Sequence, residues 1–426
     1  MKKKVIFPIL LGLLFTLTAC GTKQPANDKP VDDTLDTIED IKTPDETIPE
    51  SKPALSFSDS VNTLGYDLFA RLADGNNFCI SPYSIETALG MGANAASDTT
   101  LTEMQKVMHI SDTDTFNRDF AASADKLEKD ALDIRIANSA WYDNTKDYSD
   151  SFETSYLPLL EDTFKADSFP TDLTDPSTVK SMNDWLFDAT EGKITDMVSE
   201  LPENASLILF NAVYFNGEWA VPFSKEGTFE EAFHGTNGIW NVPFMHMNDK
   251  YFKYCEYKGL AAIRMNYKDS DMAMDILIPL DKSQDAIQLF NAFSNEEKQE
   301  LYNTLSSAEE ILIGTLRLPR FAFSSESIQL SSYLKDLGMM EAFSDKAELN
   351  LISPDAYIDD IFHKTYIRVD EKGTEAAAAT EMMISTTSLP IGEPVSFEAD
   401  VPFVYYISDT SEGTILFLGG MKNIEP

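Results

Sequence analysis

The sequence predicts an α+β body in which helices and strands are interspersed and the last strands pair back on earlier ones. Three observations support this prediction: amphipathic helical spacing near the start of the body, several long apolar runs rich in β-branched residues, and two strand-like runs around the turn TSEG. The 426 residues allow either two domains or one large mixed domain. The hydrophobic fraction of 43% is that of a globular protein.

The chain starts with a predicted targeting segment, residues 1–19, which is absent from the mature protein. Three lysines precede the apolar stretch 5–17, which is shorter than the about 20 residues that a membrane-spanning helix needs. Cys20 follows in the sequence LTACG, which resembles the bacterial lipoprotein signal. The resemblance implies that Cys20 is lipidated and begins the mature chain. The alternative is an ordinary secretory signal with a chance cysteine.

Residues 20–56 differ in composition from the rest, because Pro, Asp, Glu and Thr are frequent and aromatic residues are nearly absent. Such a segment cannot bury enough apolar surface to offset the entropy cost of ordering it. We therefore predict a disordered acidic tether that holds a globular body, residues 57–426, away from the membrane. The predicted location is the cell surface, through the lipid anchor only, or the extracellular space after release.

Two helices open the predicted body. Apolar residues between Val61 and Leu72 recur at helical spacing. Ser81 and Pro82 then provide a cap and a first turn for a second helix, which is rich in small residues. The stretch SIQLSSYLKDLGM predicts a further helix near residue 333.

Apolar and β-branched runs predict the strands. IRIANSAWY and LILFNAVYFNGEW are long enough to be interior strands, and MAMDILIPL and EILIGTLRLPRFAF add two more. TYIRVD follows, and then PFVYYISD and TILFLGGM form the predicted closing antiparallel pair. No repeat of 20 to 50 residues is visible in the sequence.

The charge balance restricts the partners of this protein. Lys and Arg total 33 against 71 Asp and Glu, which gives a net charge of −38. Nucleic acids, heparin-like polymers and anionic membrane surfaces are therefore excluded as favoured partners. A cationic protein would be attracted, and it would bind faster at low salt than at high salt.

The sequence shows no cluster of groups typical of an enzyme. It contains four histidines and lacks the HExxH, CxxC and GxSxG motifs and a phosphate-binding glycine loop, so we predict no metal and no cofactor. His246 and His363 are each interpreted as hydrogen-bonded core histidines. Cys79 and Cys255 are interpreted as free buried thiols, with a disulfide between them left open. A carboxylate-dependent hydrolase is kept as the alternative from the enzyme class.

The segment EKGTEAAAATEMM, residues 371–383, contains four consecutive alanines. In a strand its side chains would alternate between two faces, and Glu375 and Glu381 would share one of them. The other face carries no charge and holds Thr374, Ala376, Ala378, Thr380, Met382, Ile384 and Thr386. This division predicts a strand with one buried side and one side toward solvent. The alternative is a short alanine helix.

The stretch VDEKGTEAAAAT, residues 369–380, resembles the hinge of the reactive loop of serpins, which are inhibitors that trap proteases. Other stretches resemble the same family in order: NNFCISPYSI, NDWLFDATEGKITDMV, LFNAVYFNGEWAVPF, LRLPRF, FHKTYIRVDEKG and ADVPFVYYI. The resemblance covers roughly residues 57–426. It implies a single α+β domain with three β-sheets, about nine helices and an exposed reactive loop at about residues 371–398.

The resemblance also implies a function without enzymatic turnover. A serine endopeptidase cuts the loop and becomes acyl-linked to it, and the freed hinge then inserts into the central sheet as a new strand and deforms the protease. The protein is expected to act as a monomer. The alternative within the family is a non-inhibitory member that acts as a binding or scaffold protein.

The resemblance assigns roles to individual residues, in three groups. The hinge comprises Gly373, Thr374, Glu375, Ala376, Ala377, Ala378, Ala379 and Thr380. The polar group beneath the strands that must separate comprises Ser81, Ser84, Asn211 and His363, and Trp219 marks the top of the sheet, where insertion begins. The predicted salt bridge at the base of the loop joins Glu371 to Arg320, an arginine at a position where lysine is common in the family.

The family spacing from Glu371 implies that the scissile bond joins Thr387 to Ser388. Cleavage after Met383, Ile384, Ser385, Thr386 or Leu389 is left open, because the loop is longer than in many members. No Arg or Lys lies between Lys372 and Lys422, so a trypsin-like protease would find no residue for its acidic pocket. The expected partners are elastase-like or subtilisin-like serine proteases with small or apolar specificity pockets, including cationic ones.

Overall fold

The fold of the chain is given by a computed structural model that describes residues 55–201, 205, 207–374 and 394–425. The predicted targeting segment, Cys20, the tether up to residue 54, the hinge from Glu375 to Thr380 and the predicted scissile bond between Thr387 and Ser388 lie outside the described residues.

Local sequence determines where the first helices begin. The Ser56 side chain accepts a hydrogen bond from the backbone of Asp59 and caps the first helix, and Ser81 does the same for the second helix through Ser84. Both predicted helices are confirmed. The described residues contain nine α-helices: α1 Phe57–Leu72, α2 Pro82–Ala93, α3 Asp98–Val107, α4 Thr113–Leu127, α5 Leu157–Phe164, α6 Pro176–Ala189, α7 Ala286–Asn291, α8 Asn295–Ser307 and α9 Ser331–Leu337.

The predicted apolar runs form strands. The strands of the described residues are β1 Phe78–Ile80, β2 Asp133–Asp143, β3 Ala166–Thr171, β4 Leu207–Glu218, β5 Thr228–His234, β6 Ile239–Tyr257, β7 Leu260–Asn266, β8 Met272–Pro279, β9 Glu310–Pro319, β10 Phe321–Ser324, β11 Ile328–Gln329, β12 Phe362–His363, β13 Tyr366–Val369, β14 Gly373–Thr374, β15 Val395–Glu398, β16 Phe403–Asp409 and β17 Thr414–Met421.

The strands form three sheets in the described part of the chain, as predicted. A nine-stranded sheet has the order β1-β17-β16-β8-β7-β6-β9-β15, with β5 paired to β6. A six-stranded sheet has the order β10-β13-β14-β4-β2-β3, and β11 pairs with β12 in a third. β16 and β17 form the predicted closing antiparallel pair. The α+β fold class is therefore confirmed.

Three sequence predictions need correction. EILIGTLRLPRFAF is not one strand, because the chain leaves β9 in the nine-stranded sheet at Pro319 and joins the six-stranded sheet as β10. At the break, the Arg320 backbone N–H donates a hydrogen bond to the Pro243 carbonyl. The helix predicted in SIQLSSYLKDLGM is shorter, since its first residues form β11. Cys79 is buried as predicted, but Cys255 is only half-buried. Both thiols are free, so no disulfide joins Cys79 to Cys255.

The core has two parts. The larger apolar cluster lies between the helices and the two large sheets. The smaller cluster joins Leu186 of α6 to Trp141 of β2 and Phe210 of β4, so α6 covers the outer face of the six-stranded sheet. None of the helices in the described ranges combines the length and apolar composition that crossing a bilayer requires.

Candidate functional site

The site lies in the six-stranded sheet, between β4 and β13. Within the described ranges, β14 is the element that pairs with both of these strands: Gly373 and Thr374 pair antiparallel with Glu218 and Gly217 of β4, and Thr374 also pairs with Val369 of β13. We call the space between β4 and β13 below β14 the slot. β14 therefore stands at the head of the slot, with its chain direction pointing into it.

Thr374 is anchored at the head of the slot. Its side chain is buried, and its hydroxyl lies 2.7 Å from the hydroxyl of Tyr267. The Tyr267 ring stacks on Trp219 at a centroid distance of 4.7 Å. Thr374 lies on the face of the predicted hinge strand that carries no charged residue, and its side chain is buried in the structure.

Trp219 holds the turn between β13 and β14. Its indole Nε1 donates a hydrogen bond to the Asp370 carbonyl at 3.0 Å, and its backbone N–H donates to the Lys372 carbonyl at 2.7 Å. The side chain is buried, and its ring covers Tyr267. Trp219 thus fixes both the turn that precedes the hinge and the aromatic ring that receives Thr374.

Gly373 has no room for a side chain. A Cβ atom on this residue would lie 1.9 Å from the Gly217 carbonyl oxygen and 2.8 Å from the Glu218 Cα. Both of those atoms belong to the backbone of β4, which cannot move aside without breaking its pairing. The close approach of the hinge to β4 therefore requires glycine here.

We expect Gly373→Ala to displace β14 from β4 and to lower the free energy of unfolding by about 1 to 3 kcal/mol, the usual cost of overpacking. Urea unfolding of the two proteins measures the change. Gly75→Ala is the matched control, since Gly75 is exposed and the nearest atom to its added Cβ is 3.3 Å away. Equal destabilisation by both substitutions would contradict the steric argument.

Glu371 anchors the base of the loop. Its carboxylate is nearly buried and forms the predicted salt bridge with Arg320, and it also accepts a hydrogen bond from the Thr228 hydroxyl at 2.7 Å. Burial by itself raises the pKa of Glu371, but the hydrogen bonds from Thr228 and Arg320 outweigh burial and hold the pKa below its usual value. The carboxylate is therefore charged at neutral pH and ties the turn before β14 to β5.

The resemblance groups four polar residues in one cluster: Ser81, Ser84, Asn211 and His363. In the structure they lie at the start of α2 and on both sides of the slot. On one side, the Ser81 backbone N–H donates a hydrogen bond to His363 Nε2 in β12 at 3.0 Å. On the other side, the Ser84 hydroxyl lies 3.4 Å from the Asn211 carbonyl of β4. The first turn of α2 thus contacts both flanks of the slot.

The Asn211 side chain has one satisfied end and one unsatisfied end. Its amide N–H donates to Asn138 Oδ1 of β2 at 2.6 Å, and the Asn138 amide donates to the Phe164 carbonyl at 2.5 Å. Asn211 Oδ1 is buried and has no hydrogen-bond partner among the described residues. A buried acceptor without a partner costs about 1 to 3 kcal/mol, so this atom favours any rearrangement that brings it a donor.

His363 is buried in its neutral form. Burial lowers its pKa to about 3, and the bond from Ser81 places the acceptor lone pair on Nε2, so the proton resides on Nδ1. The unfolded chain binds a proton near pH 6.5, whereas the folded chain does not. Stability is therefore complete above about pH 6.5 and is lost as the pH falls toward about 3.

We expect this histidine to cost up to about 1.4 kcal/mol of stability per pH unit below pH 6.5. In His363→Gln that component is absent, so the stability difference between wild type and variant should narrow between about pH 6.5 and pH 5. Denaturant unfolding at each pH measures this. His234→Gln, at an exposed histidine, is the control. A difference that does not change with pH would show that His363 does not titrate in this way.

The outer face of the slot is covered. The smaller apolar cluster includes Phe210 of β4 and is packed by Phe362 of β12, and the Lys364 ammonium donates to the Thr195 carbonyl at 2.7 Å in the segment after α6. This segment contacts both flanks of the slot. The sequence analysis predicts that one face of the hinge strand meets solvent. The layer formed by α6 and the segment after it was not predicted, and it covers the slot on that side.

Three residues of the site were not predicted from the sequence: Asn138, Thr228 and Tyr267. Asn138 had a usable signal, because it is a polar residue within the apolar run IRIANSAWY. Thr228 and Tyr267 had none, since their roles depend on contacts with Glu371 and Thr374 that are distant in sequence. In the described part of the chain, no group of three His, Cys, Asp or Glu side chains is arranged to hold a metal ion.

Comparisons with known proteins agree with this architecture. A family model described as Serpin (serine protease inhibitor) matches residues 59–424. An uncharacterized serpin-like protein of Thermococcus kodakarensis is 32% identical to this chain, over 88% of this chain and 86% of that protein. The human leukocyte elastase inhibitor is 31% identical, over 84% of this chain and 97% of its own.

The solved structures extend the likeness to the fold. The structure of human thyroxine-binding globulin superposes with a TM-score of 0.76 at 22% identity, over 87% of this chain and 99% of that one. At this identity the likeness is one of fold alone. The match of the family model over most of the chain, together with the identity to the two relatives, shows that the chain belongs to the serpin family, whose members are mostly serine protease inhibitors.

Proposed function

We propose that this protein is a suicide-type inhibitor of serine endopeptidases, and the observation that carries the proposal is the position of β14. Gly373 and Thr374 already stand at the head of the slot, paired with both flanking strands. A chain that is cut further along the loop can continue along the same two strands without changing the turn that Trp219 holds. Insertion of the hinge would then extend the pairing that β14 already makes with β4 and β13 in the uncut protein.

The chemical step uses the protease's own serine. Its Oγ attacks the carbonyl carbon of Thr387, the bond from that carbon to the Ser388 nitrogen breaks, and the nitrogen leaves as an amine that takes up a proton. The protease is then joined to Thr387 by an ester. Insertion of the hinge carries the ester away from Ser388 and removes the protease from the geometry that its deacylating water needs.

The register of β14 predicts where the inserted residues would lie. Continued along β4, it pairs Met382 with Leu209 and Ile384 with Leu207. Both leucines line an apolar cavity together with Ile361 and other residues near the far end of the slot. The two largest apolar side chains on the uncharged face of the hinge strand would therefore arrive at apolar partners.

Continued over the same two strands, this register would pair Thr380 with Asn211 on β4 and with His363 on the other flank. The Thr380 hydroxyl is a donor of the kind that the unpartnered Asn211 Oδ1 lacks. Insertion would thus satisfy a buried acceptor that the uncut fold leaves open.

The energetics depend on the inward side chains. Ordering one loop residue costs about 1 to 2 kcal/mol, and each new backbone hydrogen bond returns a net of about 1 kcal/mol, so these contributions nearly cancel. Burying Met382 and Ile384 adds about 1.5 to 3 kcal/mol each. One unpaired charge on the inward face would cost several kcal/mol and cancel that gain. The sequence has no charge at any of these positions.

The loop sequence supports the choice of target. Small and uncharged residues flank the proposed bond between Thr387 and Ser388, which suits the pockets of elastase-like and subtilisin-like proteases. The human relative named leukocyte elastase inhibitor is consistent with this class. The net charge of −38 would speed the capture of cationic proteases at low salt.

The test is to mix the full chain with pancreatic elastase and, separately, with subtilisin. We expect a covalent complex that survives denaturing electrophoresis, together with a released peptide whose mass corresponds to residues 388–426. Trypsin is the control, because residues 373–421 contain no Arg or Lys. Clean cleavage that leaves elastase and subtilisin fully active would reject the inhibitor function.

A non-inhibitory role as a binding protein is the second candidate, since the fold is shared with thyroxine-binding globulin. The sequence of the hinge argues against it, because a protein that never inserts its loop has no need for an uncharged inward face. In that case cleavage of the loop would occur without trapping and without any gain in stability. The remote alternative, a carboxylate-dependent hydrolase, finds no support in the geometry above.

The proposed site of action is the cell surface or its surroundings, with the chain attached through a lipid on Cys20 and residues 20–56 as a tether. LTACG and the acidic composition of the following residues support this proposal. Mass spectrometry of the mature N-terminus tests it: a lipidated Cys20 is expected, and an unmodified N-terminus at another residue would reject the anchor.

A further inference from the structure

A cavity of about 450 Å³ lies where the chain crosses from the nine-stranded sheet to the six-stranded sheet. Val242 and Pro243 of β6 line it on one side, and Arg320 and the first residue of β10, Phe321, line it on the other. In the six-stranded sheet β13 lies between β10 and β14, so the cavity is separate from the slot. Its volume is within the range of about 300 to 1,000 Å³ that is usual for small-molecule sites.

One part of the cavity wall is apolar. Val242, Phe321, Met421 and Ile424 border the cavity, and their side chains are otherwise packed into the core. They come from β6, β10, the end of β17 and the segment after β17, so both large sheets fix their positions. An apolar body bound against them would remove apolar surface from water, which favours binding.

The opposite part of the wall carries two cations, Arg320 and Arg368. Arg368 of β13 pairs directly with Ala322 of β10, and Arg320 precedes Ala322 by two residues. Because residues two positions apart in a strand share a face, both arginines lie on one face of the β10–β13 pair. Diagonal neighbours of this kind are about 7 to 8 Å apart, so one anionic group can contact both guanidinium groups.

Both guanidinium groups have donors to spare. Each forms an ion pair through Nη2 alone, Arg320 with Glu371 and Arg368 with Asp370. Neither Nε nor Nη1 of either arginine donates a hydrogen bond to any residue that the structure describes. The side chains are 41% and 50% exposed, so a ligand can reach them. A guanidinium has five N–H donors in a planar arrangement that matches a carboxylate.

We propose that this cavity binds a small organic carboxylate with an apolar body. The carboxylate would contact Arg320 and Arg368, and the apolar body would lie against Val242 and Phe321. Glu425 also lines the cavity, and its carboxylate would repel the ligand's anionic group. The inference goes beyond the proposed function, and its test uses no protease, so either can fail without the other.

The test is calorimetric titration of the full chain with naphthylacetate, which combines one carboxylate with an aromatic body. The uncharged naphthylacetamide is the matched probe, because it has nearly the same shape. We expect naphthylacetate to bind with a Kd below about 1 mM and at least about tenfold more tightly than the amide, since a hydrogen bond to a charged group contributes about this factor. Equal binding of the two probes, or no binding of naphthylacetate, would overturn the proposal.

Two substitutions of opposite charge test the contacts. Arg368→Gln should weaken the binding of naphthylacetate about tenfold, and Glu425→Gln should strengthen it, because a repulsive charge is removed. Arg118→Gln on α4 is the control, since Arg118 is exposed and also pairs with one carboxylate. If Arg368→Gln changes the affinity no more than Arg118→Gln does, or if Glu425→Gln weakens binding, the cavity does not recognise a carboxylate.

A third substitution tests the location. Ala322 is exposed on the edge strand β10, next to both arginines. Ala322→Trp would place an indole ring in the cavity, and we expect binding of naphthylacetate to be lost, whereas Ala322→Ser should bind like the wild type. Circular dichroism confirms that each variant is folded. Unchanged binding by Ala322→Trp would show that the ligand binds elsewhere and would overturn the proposal.

Discussion

Replacing Thr374 with arginine is expected to turn the inhibitor into a substrate. The Thr374 side chain is 2% exposed and touches Tyr267, so an arginine at this position would have to bury a cation with no carboxylate partner or leave the head of the slot. An unpaired buried charge costs several kcal/mol, and each 1.4 kcal/mol changes a rate tenfold. Insertion of the hinge should therefore become slower than hydrolysis of the acyl-enzyme, and the protease is then released in active form.

The measurement is the stoichiometry of inhibition, that is, the number of inhibitor molecules consumed for each protease trapped. We expect an increase of about tenfold or more for Thr374→Arg. Thr102→Arg, on the exposed face of α3, controls for the added charge, and Thr374→Ser keeps the hydroxyl that meets Tyr267. If Thr374→Arg inhibits as well as Thr102→Arg, the inward face of the hinge does not govern insertion.

The elements that the sequence predicts well are those whose local pattern agrees with their final environment. The apolar runs of β2 and β4 are interior strands of one sheet, and the cap formed by Ser81 starts α2 where expected. The family resemblance rests on these same local patterns. For this reason the sequence alone is sufficient to predict the fold class and the general position of the site.

What the sequence could not predict depends on tertiary contacts. The run EILIGTLRLPRFAF alternates regularly, yet the chain changes sheets at Arg320, because its two halves pair with different partners. Tyr267 meets Thr374 across 107 residues of sequence. Lys282 likewise forms ion pairs with Glu398 and Asp400, which are more than a hundred positions away in the sequence. The residue pattern within one segment cannot predict such contacts between residues that are distant in the sequence.

The covering layer over the slot shows the same limit. Alternation correctly separates two faces of a strand, but it does not reveal what lies against each face. Here α6 and the segment that contains Thr195 cover the outer face, and Phe362 packs against the same apolar cluster. Small alanine side chains are therefore useful on both faces of the hinge, since the outward residues must pass beneath this layer.

Cutting the loop is expected to make the protein much more resistant to heat. In the uncut molecule the slot holds β14 at its head, and Asn211 Oδ1 lacks a partner. After a cut, the hinge can add a strand between β4 and β13, bury Met382 and Ile384, and supply the missing donor from Thr380. Each of these changes stabilises the cut form.

The measurement is the midpoint of thermal unfolding before and after limited cleavage by a metalloprotease, which forms no acyl-enzyme. We expect the midpoint to rise by at least about 10 °C, since several kcal/mol of added stability shift a large domain by this amount. Mass spectrometry confirms that a single cut lies within residues 383–393. The cut form of Thr374→Arg is the matched control and should gain much less, because its cation resists burial. If the cut wild type unfolds at the temperature of the intact protein, the uncut fold stores no free energy for insertion, and trapping a protease by this route is impossible.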